Sequence, residues 1–64
     1  MPNSKLKGLR AEKGWSQKVM GEKLNLSEQG YRKKENGESD FTVPEVNMIL
    51  KLFPGTKYED IFLN

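Results

Sequence analysis

The side chains best suited to chemistry lie in the stretch EQGYRKKENG, from Glu28 to Gly37. It combines carboxylates, side-chain amides and three consecutive cations, with Tyr31 as its single aromatic and no aliphatic residue. These groups can read base edges in duplex DNA, because Arg and Lys donate to guanine, Gln pairs with adenine and Glu accepts from cytosine N4. A solvated helix face carries the same residue types. The function therefore depends on how the segment is placed.

The remaining inventory argues against an enzyme. The chain has no Cys and no His, so it lacks the usual zinc ligands, the usual neutral-pH base and a thiol nucleophile. Only carboxylates such as Glu22, Glu28, Glu38 and Asp40 remain, and helical spacing pairs none of them in a pocket. We expect no catalysis, no metal, no cofactor and no small-molecule ligand.

The length and the charge pattern set further limits. A chain of 64 residues is expected to form one domain, residues 1–64, with a thin core. No apolar run approaches a membrane span of roughly 18 residues, and no apolar stretch follows the basic start, so we expect a cytoplasmic protein without a membrane partner.

Residues 1–34 carry a net charge of +6 and residues 35–64 a net charge of −4. A basic half can meet a polyanion, although a salt-bridged surface gives the same skew.

Residues that typically start or stop a helix are frequent, and no segment alternates apolar and polar residues as a strand does. This pattern predicts an all-α fold of five short helices. The start signals are Asn3 or Ser4, Ser16, Ser27, Thr42 and Thr56. The stop signals are Gly14, Asn25, Asn36-Gly37 and Pro54-Gly55. Thr42 with Glu45, and Thr56 with Glu59, have capping-box spacing. The fourth helix is predicted to present Val46, Ile49, Leu50 and Phe53 on one face, and the last to carry Tyr58, Ile61, Phe62 and Leu63.

The second and third helices are joined by a very short turn at Asn25-Leu26, the spacing of a helix-turn-helix over about residues 16–36. Such a turn forces a steep crossing, so Gly21 is expected where the backbones touch. The inner seam is predicted to contain Met20, Leu24, Leu26 and Tyr31. With Tyr31 inward, a rotation of about 100° per residue places Gln29, Arg32, Lys33 and Asn36 outward. A helix held clear of the domain in this way could enter a groove.

From Leu6 to Leu63 the sequence resembles the Cro/CI-type, XRE-like helix-turn-helix family of transcriptional regulators. The resemblance is carried by LKGLRAEKGWSQKVMGEKLNLS, YRKKENG and the closing YEDIF. It is greatest to small single-domain members from phages and mobile elements. The resemblance implies a compact, five-helix, lambda-repressor-like domain that binds double-stranded DNA.

The resemblance also implies roles for individual residues. The base-reading positions are Glu28, Gln29, Arg32 and Lys33. The positions that meet DNA phosphate are Ser16, Gln17, Lys18, Asn36 and Thr42. Arg10 and Glu35 match a structural ion pair between the first helix and the end of the third. Lys34 replaces a common aliphatic residue, and we expect its methylenes to cover the core while its ammonium reaches solvent or phosphate.

One recognition helix covers few base pairs, and family members usually act as two-fold dimers on palindromic half-sites. The expected dimer interface is apolar and C-terminal: Phe53, Pro54, Tyr58, Ile61 and Phe62, shared with the monomer's core. The leading hypothesis is a sequence-specific repressor of a phage, prophage or mobile element that acts by occupying its operator. The alternative is an antitoxin-type module that binds a protein through the apolar C-terminal face and also regulates its own operon.

Overall fold

The computed structural model describes residues 3–62 and contains five helices. They are α1 (Ser4–Glu12), α2 (Gln17–Lys23), α3 (Glu28–Glu35), α4 (Val43–Leu52) and α5 (Tyr58–Phe62). Between residues 3 and 62 there is no strand, and the predicted all-α, five-helix fold is confirmed. Over the same range no helix has both the length and the apolar character needed to span a bilayer. Leu63, expected in the last helix, lies outside the described residues.

The starts of the first four helices follow from their capping side chains. In each, the residue before the helix accepts a hydrogen bond from a backbone N–H of the first turn, and these residues are Asn3, Ser16, Ser27 and Thr42. At α4 the capping box is complete, because the side chain of Glu45 accepts a hydrogen bond from the N–H of Thr42. Pro44 stands in the first turn of this helix, where its missing N–H leaves no bond unmade.

The last helix begins differently from the prediction. Thr56 and Glu59 have capping-box spacing, but the bond at the start of α5 joins Asp60 Oδ2 to the N–H of Lys57 at 3.2 Å. The capping register is therefore one residue later than predicted. Phe53 offers a reason, since its carbonyl accepts from the N–H of Thr56 and so keeps Thr56 in the turn that follows α4.

The buried side chains within residues 3–62 form one hydrophobic cluster to which every helix contributes. Its members are Leu6, Met20, Leu24, Tyr31, Ile49, Phe53 and Ile61. The predicted inner seam is present, with Leu26 partly buried against this cluster. On α4, Ile49 is fully buried and Leu50 packs against the same cluster, as its apolar pattern predicts.

This core takes two residues that the sequence assigned to a dimer interface. Phe53 and Ile61 are only 3% and 1% exposed, so of the residues expected to be shared between core and interface these two belong to the core. The physical reason is the small size of the domain, in which the last turn of the chain must complete the core. Of the other predicted interface residues, Pro54 and Tyr58 are exposed and Phe62 is half-buried.

Candidate nucleic-acid interface

The angle between α2 and α3 depends on a close backbone approach at Gly21. A Cβ placed on Gly21 would lie 3.0 Å from the carbonyl oxygen of Leu26 and 3.1 Å from that of Ser27. The N–H of Leu26 donates to the carbonyl of Gly21 at 2.7 Å, which fixes the turn. Asn25 adopts a φ of 61°, a left-handed conformation that Asn tolerates better than most residues. The small residue and the Asn turn therefore occupy the places predicted from the sequence.

This turn presents one face of α3 to solvent. The four residues predicted to read bases, Glu28, Gln29, Arg32 and Lys33, are all exposed. The opposite face carries Tyr31 and Glu35, which are both fully buried. Asn36, predicted to face outward with them, is half-buried and forms the C-cap of the helix. The outer face of α3 thus consists of polar groups that have their hydrogen-bonding capacity turned toward solvent.

Gly30 lies in the first turn of this helix, at the position whose N–H is bound by the capping residue. The hydroxyl of Ser27 accepts from the N–H of Gly30 at 3.0 Å. A Cβ on Gly30 would lie 3.1 Å from the same hydroxyl oxygen. The same cap bond forms at α2 and α4 to Val19 and Glu45, which have side chains.

Beneath the exposed face lies a buried polar network centred on Glu35. Arg10 approaches with Nε 3.0 Å from Oε2 and Nη2 3.4 Å from Oε1, so the structure brings together the predicted ion pair. Tyr31 donates its hydroxyl to Oε2, and Gln17 donates Nε2 to Oε1 at 3.1 Å. Arg10 also donates Nη1 to the carbonyl of Trp15 at 2.8 Å. The network ties α1, α2, α3 and the loop after α1 together at one point.

These contacts change the titration of the groups involved. Burial by itself would raise the pKa of Glu35, but hydrogen bonds from Arg10, Tyr31 and Gln17 outweigh it and hold the pKa below 4.5. Burial, together with the bond to Glu35, raises the pKa of Tyr31 well above its usual 10.0. The hydrogen bond to Glu35 raises the pKa of Arg10 further. At neutral pH the network therefore contains one carboxylate, one guanidinium and a neutral phenol.

The backbone joins the same region to the start of the chain. The N–H of Asn3 donates to the carbonyl of Glu35 at 2.8 Å, which places the beginning of α1 at the end of α3. Asn36 follows directly and has helical backbone angles, with φ −82° and ψ −3°. The phosphate position predicted at Asn36 is therefore held by α1 as well as by α3.

The residues predicted to meet phosphate lie on three separate segments. Ser16 caps α2 through its hydroxyl, Lys18 is exposed on the first turn, and Thr42 caps α4 at the end of the loop after α3. Gln17 is half-buried, with its side-chain nitrogen on Glu35. Thr42 gives its backbone N–H to Glu45 and accepts from the N–H of Glu45, so its hydroxyl proton is left to donate.

Lys34 is placed differently from the expectation. Its Nζ lies 2.6 Å from Glu45 Oε1, and the two side chains are 16% and 13% exposed. The ammonium therefore reaches the capping box of α4 and not open solvent or phosphate. Burial alone would raise the pKa of Glu45, but the bonds from Lys34 and from the N–H of Thr42 lower it. The sequence offered no signal for this pair, because 11 residues and a loop separate its members.

Lys23, at the end of α2, makes a contact with an aromatic ring. Its Nζ lies 4.4 Å from the ring centroid of Trp15, at cation–π distance. Trp15 packs in turn against Phe53, with ring centroids 5.7 Å apart.

Among residues 3–62 no group of three or more Asp or Glu side chains is arranged to hold a metal ion.

Comparison with known proteins agrees with this geometry. A family model described as helix-turn-helix matches residues 6–60. The match spans all of α2, α3 and α4, the turn between α2 and α3, and part of α1 and α5. The searches of curated proteins and of solved structures each gave no match.

Proposed function

Because the chain belongs to the XRE-like helix-turn-helix family of DNA-binding transcription regulators, we propose that it represses transcription by binding a specific operator. In this proposal α3 lies in the major groove and two copies occupy a palindromic site, as in a phage or mobile-element regulator. The family is a regulatory one and is not typically enzymatic.

The observation that carries the proposal is the outer face of α3. Glu28, Gln29, Arg32 and Lys33 are exposed together on one short helix. Arg32 and Lys33 supply donors for guanine O6 and N7, Gln29 matches adenine, and Glu28 accepts from an exocyclic amine. A helix face with donors and acceptors mixed in this way can distinguish more base pairs than a purely cationic face, which offers donors only.

The phosphate contacts come from segments on either side of that face. Lys18 on α2 and Asn36 with Thr42 after α3 flank the outer face in the chain, and they offer an ammonium, an amide and a hydroxyl. Such contacts fix the orientation of the protein on the duplex and carry no sequence information. They make binding weaker as salt rises, in proportion to the number of cations that meet phosphate.

Selection of DNA from a random pool of duplexes tests the proposal. We expect one enriched palindrome whose half-sites are about one helical turn apart, because a two-fold dimer presents its two recognition helices at that spacing. Sequencing of the bound pool gives the readout. Recovery of unrelated sequences, with no enriched motif, would contradict sequence-specific binding.

A charge-matched pair of variants then assigns the contact to α3. Arg32→Ala combined with Lys33→Ala should weaken binding to the selected operator by about 100-fold or more, because each good base contact contributes about 1–3 kcal/mol. Lys51→Ala combined with Lys57→Ala removes the same charge from exposed positions outside α3 and serves as the control. Fluorescence anisotropy at one salt concentration compares them. Equal losses in the two variants would show that net charge, and not α3, determines affinity.

A further inference from the structure

We propose that Glu35 is a positioning residue for DNA binding, which orients the side chain of Gln17 for a phosphate contact. This role is additional to its ion pair with Arg10, and it rests on the proposed DNA-binding function. Gln17 is the one donor to Glu35 that also stands at a predicted DNA contact. The buried carboxylate therefore connects the core to the binding surface.

Both oxygens of the Glu35 carboxylate accept hydrogen bonds, and the donors lie on three helices, α1, α2 and α3. Oε2 accepts from Arg10 Nε and from the Tyr31 hydroxyl, and Oε1 accepts from Gln17 Nε2 and from Arg10 Nη2. Glu35 itself is 0% exposed. Arg10 and Tyr31 hold the carboxylate from α1 and α3, so its position does not depend on Gln17. Gln17 joins a site that the other two residues have already fixed.

This arrangement determines which end of the Gln17 amide faces inward. A primary amide has a nitrogen that donates and an oxygen that accepts, and on an open surface it can turn either way. A carboxylate only accepts, so it binds the nitrogen and repels the oxygen. One hydrogen of Gln17 Nε2 is used by Glu35, and the second is left for an acceptor. A phosphate oxygen is such an acceptor, and the half-buried side chain of Gln17 retains access to solvent.

Positioning before binding has a predictable effect on affinity. A glutamine side chain loses rotamer freedom when it is ordered, which weakens any complex that orders it. Here the ordering occurs on folding, through the bond to Glu35, and is not repeated when DNA binds. Loss of the carboxylate should therefore weaken the phosphate contact even where the fold survives.

Titration of a fluorescent duplex of random sequence tests this coupling, since phosphate contacts do not depend on sequence. Gln17→Leu should weaken binding by about tenfold, the size expected for a hydrogen bond to a charged group. Glu35→Gln should weaken it to a similar extent, and the double variant should be no weaker than either single variant. The slope of affinity against salt should stay unchanged, because no cation that meets phosphate is removed.

Glu59→Gln is the matched control for Glu35→Gln. It removes the same charge from an exposed carboxylate on α5 and leaves the bonds around Glu35 in place, so it should leave the affinity for DNA unchanged. Folded Glu35→Gln protein with wild-type affinity would overturn the positioning role, and so would a double variant whose loss is the product of the two single losses. If the wild-type chain binds no duplex at low salt, the proposed function itself fails.

A measurement on the wild-type protein keeps the inference testable if Glu35→Gln does not fold. The side-chain amide hydrogens of Gln17 should exchange with water more slowly than those of Gln29, which is exposed on α3. Nuclear magnetic resonance of the labelled protein resolves both side chains. Equal exchange rates for the two would overturn the inference.

Discussion

Glu35 has the most demanding environment of any single residue in the described part of the chain. A carboxylate removed from water is costly unless donors replace its hydration, and here Arg10, Tyr31 and Gln17 do so. Within residues 3–62 no buried side-chain nitrogen or oxygen lacks a hydrogen-bond partner. The site is therefore stable when complete and sensitive to the loss of any one member.

The fall in the free energy of unfolding at acidic pH, the acid limb of the stability curve, should depend on Glu35. Its folded-state pKa lies below 4.5, so near that pH the unfolded chain binds more protons than the folded chain. Stability is then fully present above the unfolded-state pKa and is lost as the pH falls through the folded-state value. Glu35→Gln should lower stability at pH 7 by about 3 kcal/mol and make the acid limb shallower. Some slope should remain, since the pKa of Glu45 is lowered too.

Urea unfolding between pH 7 and pH 3, followed by the fluorescence of Trp15, measures this effect. Trp15 suits the purpose because its carbonyl accepts from Arg10 and its ring packs on Phe53. Glu38→Gln removes an exposed carboxylate three residues beyond the end of α3 and serves as the control. A Glu35→Gln curve parallel to that of the wild type would show that Glu35 is not the group that titrates.

At the scale of elements, α3 is positioned by its contact with α2. Gly21 allows the backbone of α2 to approach the Leu26-Ser27 segment to within van der Waals contact. Glycine inside a helix is unfavourable by about 1 kcal/mol relative to alanine, so the contact has to offset that amount. Gly8, within α1, has open space around it and offers a direct comparison.

The two helical glycines should respond differently to alanine. Gly8→Ala should raise the free energy of unfolding by about 0.5–1 kcal/mol, because only helix propensity changes. Gly21→Ala should not stabilise the protein, because the new Cβ would lie 3.0 Å and 3.1 Å from two backbone carbonyl oxygens, which would have to move by a few tenths of an ångström to admit it. Gly21→Val should destabilise by about 3 kcal/mol through overpacking. Thermal unfolding gives all three values, and equal stabilisation by the two alanines would contradict a required close approach.

For the whole molecule, the distribution of charge and apolar surface bears on assembly. The basic residues are concentrated in residues 1–34 and the acidic ones in residues 35–64, so a polyanion is attracted to one part of the chain. A series of aromatic rings runs from the core outward: Tyr31 packs on Phe41, Phe41 on Phe62, and Phe62 on Tyr58. Tyr58, which is 45% exposed, lies at the outer end of this series.

If a dimer forms through the C-terminal face, substitutions of Tyr58 and of Phe53 should have different effects. Tyr58→Ala should leave the monomer folded and weaken self-association on DNA, because this ring is exposed in the monomer. Phe53→Ala should instead lower monomer stability by about 3–5 kcal/mol, since it leaves a cavity in the core. Analytical ultracentrifugation with operator DNA measures the first effect and urea unfolding the second.

Met48→Ala is the control for this comparison, because Met48 is 44% exposed on α4 and is not among the predicted interface residues. Equal association of the Tyr58→Ala and wild-type proteins would contradict a C-terminal interface. Loss of self-association in Met48→Ala would indicate that the interface lies on α4.

The sequence by itself determined the five helices, the caps of the first four and the helix-turn-helix. These features rest on local chemistry: a capping hydroxyl, a left-handed Asn and a glycine at a crossing each act within a few residues. The periodicity of α3 likewise predicted which side chains face outward, as the exposure of Gln29, Arg32 and Lys33 confirms.

The tertiary structure alone decided how distant polar groups are paired. Gln17 and Glu35 are 18 residues apart, and Lys34 and Glu45 are 11 apart, so neither bond follows from helical spacing. It also decided that Phe53 and Ile61 complete the core and do not remain for a partner. Local residue types fix how each segment folds, whereas competition among all segments for one small core and a few buried donors fixes which residues meet.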